Sequence, residues 1–314
     1  MTLVTDTRIA RIGVVQFSPT PDPAENLETA LDRTADALDL GADIVCLPEL
    51  FLTPYFCQTE DPRVFALSEE IPGPTTSRFL ELAAEYDAVL ILSLFEKRAA
   101  GLYHNTAALI DGKRGYVGKY RKMHIPDDPR YYEKYYFTPG DLGFKSFDTP
   151  KARCGVLICW DQWYPEAARL TALRGAEILF YPTAIGWHPD ERESHGEAQY
   201  EAWEVSQRAH AVANGCFVVA VNRVGFEPTP GADAPDAIDP GAGVSQSAQG
   251  IQFWGQSFVA GPDGQVLHRC SSTEPEVAVV DADLAQIGEI RHGWPFFRDR
   301  RIDVYDGLTQ RFID

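Results

Sequence analysis

The 314-residue chain has little positive charge and no long apolar run. No stretch approaches the roughly 20 apolar residues that a membrane-crossing helix needs. The first eleven residues hold no apolar segment fit to serve as a secretion signal. A cytoplasmic location with no membrane partner is therefore expected. Lys and Arg together number 28 against 46 Asp and Glu, for a formal net charge of -18. A nucleic-acid partner is disfavoured, because affinity for phosphate backbones comes from basic side chains. The six cysteines, Cys46, Cys57, Cys154, Cys159, Cys216 and Cys270, form no C-x-x-C pair and no Cys/His cluster with zinc spacing. Several lie inside apolar runs, where a free thiol packs as a small hydrophobe. A structural role is thus the default for each.

What is present is an alternation of short β-branched runs with helical periodicity. Residues 11–17, 43–47, 88–95, 104–110, 153–158, 178–181 and 217–222 read as strands. Residues 23–40, 75–86, 164–174 and 196–214 read as helices, the second opened by Thr75 or Thr76 as cap. Further strands at 257–260, 266–269 and 276–280 surround a Gly261-Pro262-Asp263-Gly264 turn. This order predicts mixed sheets covered by helices, in one domain spanning 1–314. Residues 225–250 are rich in Gly, Pro, Ala and Asp and predict a flexible surface insertion.

Three segments stand out chemically. Leu47-Pro48-Glu49-Leu50 puts a carboxylate directly after a buried strand, the end at which open α/β folds hold ligands. Lys119-Tyr120-Arg121-Lys122-Met123-His124 clusters basic groups at a strand end, ahead of the aromatic stretch Tyr131-Tyr132-Glu133-Lys134-Tyr135-Tyr136-Phe137. So many aromatics beside charges suggest a desolvated pocket wall or a subunit contact. Ile158-Cys159-Trp160-Asp161-Gln162-Trp163 joins a buried strand to the helix opened by Pro165-Glu166. A cysteine on such an elbow is expected at the exposed sheet edge, near backbone N–H groups that lower its pKa and bind an oxyanion. Taken singly, each segment has a bland reading: a helix cap, a solvated charged face, a buried thiol.

Taken together and in this order, they resemble the signature regions of the nitrilase superfamily of carbon–nitrogen hydrolases. The resemblance covers almost the whole chain and extends to Asn105-Thr106-Ala107, Pro182-Thr183-Ala184-Ile185-Gly186 and Arg291-His292-Gly293-Trp294. It implies an α/β fold, a four-layer α-β-β-α sandwich with two mixed sheets flanked by helices. It implies hydrolysis of a non-peptide C–N bond through a covalent intermediate on Cys159 as nucleophile. Glu49 would be the general base, taking the thiol proton, passing it to the leaving ammonia and then activating water. Lys122 would stabilise the oxyanion and serve as a proton donor, with the backbone N–H of Trp160 as second oxyanion donor, and its ammonium would favour ionised Cys159 and Glu49. Glu133 would position Lys122 and the substrate nitrogen. The resemblance implies no metal and no organic cofactor. It also implies a homodimer or larger homo-oligomer, with residues 291–314 as an interface arm.

Within the superfamily, Ile125-Pro126, Glu133-Lys134-Tyr135-Tyr136-Phe137, Pro139-Gly140 and Ile158-Cys159-Trp160-Asp161-Gln162-Trp163 look like the branch that hydrolyses N-carbamoylputrescine in putrescine and polyamine synthesis. The β-ureidopropionases share fewer of these details. That small-molecule substrate ends in an ammonium, which calls for a carboxylate and aromatic faces. Tyr131, Tyr132, Trp163, Thr183, Trp187, His188, Asp190 and Glu191 are the candidate substrate-binding residues. Plant-like relatives carry an acidic residue soon after Thr-Ala-Ile-Gly, whereas this chain has Gly186-Trp187-His188-Pro189. Histidine is a poor replacement at neutral pH, so Asp190 or Glu191 is expected to stand in. The alternatives are another N-carbamoyl amine, a β-ureido acid or an aliphatic amide. A non-catalytic ligand-binding homologue is opposed by the intact Glu49, Lys122 and Cys159 set. No fused synthetase is expected after Asp314.

Overall fold

The computed structural model describes residues 8–232 and 248–313. Strand β1 (Ile9–Gln16) leads into α1 (Pro23–Asp39), which returns the chain to β2 (Ile44–Cys46). Helix α2 (Pro74–Tyr86) precedes the meander β3 (Val89–Ala99), β4 (Leu102–Asp111) and β5 (Gly115–Arg121). A single-turn helix α3 (Glu133–Tyr136) is followed by β6 (Ser146–Asp148), β7 (Arg153–Val156), α4 (Pro165–Leu173) and β8 (Ile178–Pro182). Then come β9 (Gly186–Trp187), α5 (Arg192–Asn214), β10 (Phe217–Val221), β11 (Val224–Pro228) and β12 (Gly250–Trp254). Strands β13 (Phe258–Ala260), β14 (Val266–Arg269) and β15 (Glu276–Asp283) and helix α6 (Ala285–Gly293) follow.

Two six-stranded mixed sheets result, ordered β15-β1-β2-β3-β4-β5 and β14-β13-β10-β8-β7-β6. Strands joined through a helix pair in parallel (β1 with β2, β2 with β3, β7 with β8, β8 with β10), and those joined by tight turns pair antiparallel. Alternate residues of the first sheet serve two cores. Ile12, Val14, Ile44, Cys46, Val89 and Ile91 face the second sheet, packing with Val156, Phe180 and Val218. Val15, Val45, Leu47, Leu90 and Leu92 face α1 and α2, meeting Ala30, Ala37, Phe79 and Ala83. Helices α4 and α5 cover the far side of the second sheet. Burial on both faces explains why these strands read as continuous apolar runs rather than as alternating ones. The four-layer sandwich with two mixed sheets flanked by helices is the architecture observed.

Several local expectations need correction. The cap of α2 is Gly73, not Thr75 or Thr76; Thr76 instead accepts from the Gly73 N–H through its hydroxyl at 2.7 Å. Helix α5 starts at Arg192 rather than Gly196, because Gly196 lies inside the helix against Trp187, whose indole N–H donates to its carbonyl at 2.8 Å. The ends of the 225–250 segment are not a flexible insertion. Strands β11 and β12 pair antiparallel over Val224–Pro228 and Gly250–Trp254, and with β9 they form a third, three-stranded sheet. Val224 lies opposite Trp254 on one face, and the buried Ile251 and Phe253 lie opposite Glu227 and Gly225 on the other, a pattern hidden by the Gly and Pro around it. The rest of the expected insertion, 233–247, lies outside the described residues. Among the described residues, no helix is long and apolar enough to cross a membrane.

Candidate active site

The three signature segments end up side by side because each follows the last residues of a strand. Glu49 lies three residues past β2, and its N–H donates to the Thr183 carbonyl at 3.3 Å. Lys122 directly follows β5, its N–H bonded to the Asn105 carbonyl at 2.9 Å. Gly140 holds this backbone from the other side, donating to the Lys122 carbonyl at 2.8 Å; a Cβ there would meet the Arg121 carbonyl oxygen at 2.1 Å, so only glycine fits. Cys159 opens a 3-10 turn, Cys159–Trp163, between β7 and α4, with a left-handed φ of +40°. Such backbone geometry is rare for a residue with a side chain and is held here by surrounding bonds. Asp161 supplies them. It accepts from the Ile158 N–H at 3.0 Å and the Tyr120 hydroxyl at 2.8 Å, and pairs with the His124 ring at 2.7 Å. One carboxylate thus ties the cysteine elbow to both flanks of Lys122.

Lys122 Nζ lies 2.8 Å from Glu49 Oε1 and 2.9 and 2.7 Å from the two oxygens of Glu133. Asn105 donates to Glu49 Oε1 at 2.6 Å, and the Tyr55 hydroxyl donates to Glu133 Oε1 at 2.7 Å. All three charged side chains are fully buried. Burial works against the ammonium, but the two carboxylates overcome it and hold the Lys122 pKa well above the ordinary lysine value. Glu133 is pushed up to about 7, by burial first and by the adjacent Glu49, against the pull of Lys122. Glu49 Oε2 is buried and has no hydrogen-bond partner among the described residues. It is a free acceptor in the middle of this cluster.

Cys159 is 5% exposed, not open at the sheet edge as expected. Its Sγ lies 3.8 Å from the Ala184 carbonyl oxygen. Burial, and then the charge of Glu49, push its pKa well above the ordinary thiol value, and Lys122 pulls it down only in part. The expected lowering is therefore not found: these surroundings favour the neutral thiol over the thiolate, so a base is needed to ionise it. All six cysteines are buried and free. Cys159 alone among them lines the cavity that also holds Glu133.

That cavity, of about 350 Å³, has Cys159 and Glu133 in its wall. Of the expected substrate-binding residues, Tyr131, Trp163, His188 and Glu191 line it, together with Trp160. Tyr132, Thr183, Trp187 and Asp190 do not. Thr183 is buried behind the site with its hydroxyl on the Tyr181 carbonyl, Trp187 packs on Trp254 at 5.2 Å, and Asp190 is exposed, 3.9 Å from Arg130. Burial and the nearby Arg130 guanidinium lower the His188 pKa, so the ring is neutral, 3.3 Å from that guanidinium through Nδ1. Glu191, not Asp190, is thus the acidic side chain of that loop in the cavity wall. Asp128 and Trp254 also line it and carried no sequence signal, since one lies in a short Asp-Asp-Pro loop and the other on the third sheet. Tyr55 and Asn105 were missed as site residues, although Asn105 lies within a segment already matched to the superfamily.

The family model for carbon-nitrogen hydrolases matches residues 11–292, and the chain belongs to that family. It is an amide-type C–N hydrolase with the nitrilase fold. It is 43% identical over 302 residues to the N-carbamoylputrescine amidase of Solanum lycopersicum, covering 96% of this chain and 95% of that one. It is 37% identical over 303 residues to a citrullinase of Francisella tularensis, covering 96% and 99%. Among solved structures it is similar to a carbon-nitrogen hydrolase from Helicobacter pylori, with a TM-score of 0.89 at 44% identity over 97% of this chain and 100% of that one. A variant amidase from Nesterenkonia sp., TM-score 0.68 at 26% identity over 94% and 95%, carries the acetamide moiety of fluoroacetamide covalently on its active-site cysteine.

Proposed function

We propose that this enzyme hydrolyses N-carbamoylputrescine to putrescine, carbon dioxide and ammonia through a covalent intermediate on Cys159. The observation that carries the mechanism is the buried oxygen of Glu49 without a hydrogen-bond partner among the described residues, in a cluster with Lys122 beside the Cys159 thiol, whose burial favours its neutral form. Glu49 Oε2 takes the Sγ proton, and the thiolate attacks the ureido carbon. The developing oxyanion is stabilised by the Lys122 ammonium and the Trp160 backbone N–H. Glu49 returns the proton to the departing ammonia, leaving an S-linked thiocarbamate. It then takes a proton from water, whose attack frees Cys159 and releases a carbamate that loses carbon dioxide. Proton transfer of this kind contributes about 10²–10⁴-fold in rate. Glu133 holds Lys122 in place.

The substrate reading is supported by the several N-carbamoylputrescine amidases at 41% to 43% identity and by the charge of the cavity wall. Glu191 and Asp128 offer carboxylates for a terminal ammonium, and Tyr131, Trp163 and Trp254 offer aromatic faces. The citrullinase relative favours a second reading, an N-carbamoyl amine that also bears a carboxylate. Ammonia release measured side by side from N-carbamoylputrescine, citrulline, N-carbamoyl-β-alanine and glutamine decides between them. Preference for an acid or for glutamine would overturn the substrate reading.

We further propose that the chain works as a cytoplasmic homo-oligomer in polyamine synthesis, with the tail as an interface arm. Trp294, Phe296, Ile302, Val304, Leu308 and Phe312 are all exposed apolar side chains, an unusual density for a surface that meets only water.

A further inference from the structure

Arg223 follows β10 by two residues and is completely buried. Its guanidinium is divided between the turn that carries Glu49 and the carboxylate of Glu227. Nε and Nη2 donate to the Glu49 carbonyl at 3.1 and 2.9 Å, and Nη2 also donates to the Leu50 carbonyl at 2.6 Å. Nη1 pairs with Glu227 at 2.9 and 3.2 Å, and the plane lies near the rings of Tyr55 and Phe253. Leu50 has a left-handed φ of +49°, which a leucine adopts only when its surroundings impose it. That kink sets the direction in which the Glu49 side chain leaves the backbone.

We infer that Arg223, backed by Glu227, is a positioning residue that locks the Glu49–Leu50 turn and so aims the Glu49 carboxylate at the Cys159 thiol. The inference rests on the reading of Glu49 as general base. An ion pair buried at this depth is a poor source of stability, since the desolvation of both charges offsets most of their attraction. A fixed orientation is what it supplies. Arginine suits the task because its rigid fork spans two carbonyls and a carboxylate at once, which the single ammonium of lysine does not. Glu227 extends the lock. It accepts from the Tyr55 N–H, while the Tyr55 hydroxyl donates to Glu133, which holds Lys122, which in turn holds Glu49. The circuit closes on the residue where it began, fixing both the main chain and the side chain of Glu49. Glu227 belongs to β11, whose sheet partners β9 and β12 contribute Gly186 and Trp254 to the cavity wall. The third sheet thus supports the pocket and the base together.

The test is a double-mutant cycle read on the thiol itself, which needs no knowledge of the natural substrate. Cys159 alkylation by iodoacetamide at neutral pH is followed by peptide mass spectrometry in wild type, Arg223→Lys, Glu49→Gln and the double variant. Arg223 touches only the main chain of Glu49, so its bonds persist when the carboxylate becomes an amide. Arg223→Lys is expected to slow alkylation about tenfold or more alone, and less than about twofold in the Glu49→Gln background. Equal slowing in both backgrounds, or none in the first, would overturn the positioning role. No slowing in Glu49→Gln alone would remove the base itself, and this inference with it. Glu227→Gln, which keeps the volume, gives the same readout if Arg223→Lys does not fold, and is expected to show the same dependence on Glu49.

Discussion

Lys122 Nζ stands between two carboxylates, 2.8 Å from Glu49 Oε1 and 2.7 Å from Glu133 Oε2, with all three side chains buried. The lysine has a structural and a chemical consequence at once. Without it, two buried carboxylates face each other with no counter-charge. Lys122→Met is therefore expected to abolish ammonia release and to lower unfolding free energy by roughly 3–5 kcal/mol. Denaturant unfolding and an activity assay on the same preparation check both. Retained activity in a folded Lys122→Met variant would remove the lysine from the chemistry.

The cavity wall predicts where discrimination lies. Glu191→Gln is expected to raise KM for N-carbamoylputrescine about tenfold, equivalent to about 1.4 kcal/mol, with kcat little changed. Asp128→Asn should behave alike with a smaller effect, because Asp128 is more exposed. For an N-carbamoyl alkylamine without the terminal ammonium, neither substitution should matter. An equal loss on both substrates would mean that these carboxylates shape the cavity rather than grip the amine.

A separate prediction concerns pH and stability away from the site. Glu96 is buried, which alone would raise its pKa, but hydrogen bonds from Arg121, Lys119 and Thr106 overcome burial and bring it from 4.5 to about 2. Because the folded value lies below the unfolded one, its stabilising contribution is complete above pH 4.5 and is lost as pH falls toward 2. Glu96→Gln should be less stable than wild type at pH 7, with the gap closing below pH 4.5. Urea unfolding at a series of pH values reads this directly. A gap that stays constant on acidification would show that lost packing, not lost charge, explains the variant.

The sandwich and the clustering of Glu49, Lys122 and Cys159 were legible because both rest on local signals. Strands buried on two faces leave apolar runs, and Glu49, Lys122 and Cys159 each sit in a short segment just past one of those runs. What was not legible depends on contacts between distant parts of the chain. The raised pKa of Cys159 comes from burial and from Glu49, 110 positions earlier in the chain. Glu191 and Asp190 are neighbours in sequence, yet only one reaches the cavity wall, which is decided by how the loop after β9 turns into α5. Glu227 lies in a stretch whose glycines and prolines masked two strands, and Arg223 lies just before it. Asp161 was in plain view inside the cysteine motif, but its bonds to Tyr120 and His124 appear only once β5 and β7 belong to facing sheets.

The most direct test of Cys159 as a nucleophile served by Glu49 is rapid-quench peptide mass spectrometry during turnover of N-carbamoylputrescine. Wild type should show a transient adduct on the Cys159 peptide with the mass of the substrate less ammonia, and Glu49→Gln should show none on the same timescale. Ammonia release with Cys159 unmodified throughout, or sustained by a Cys159→Ala variant, would contradict the mechanism.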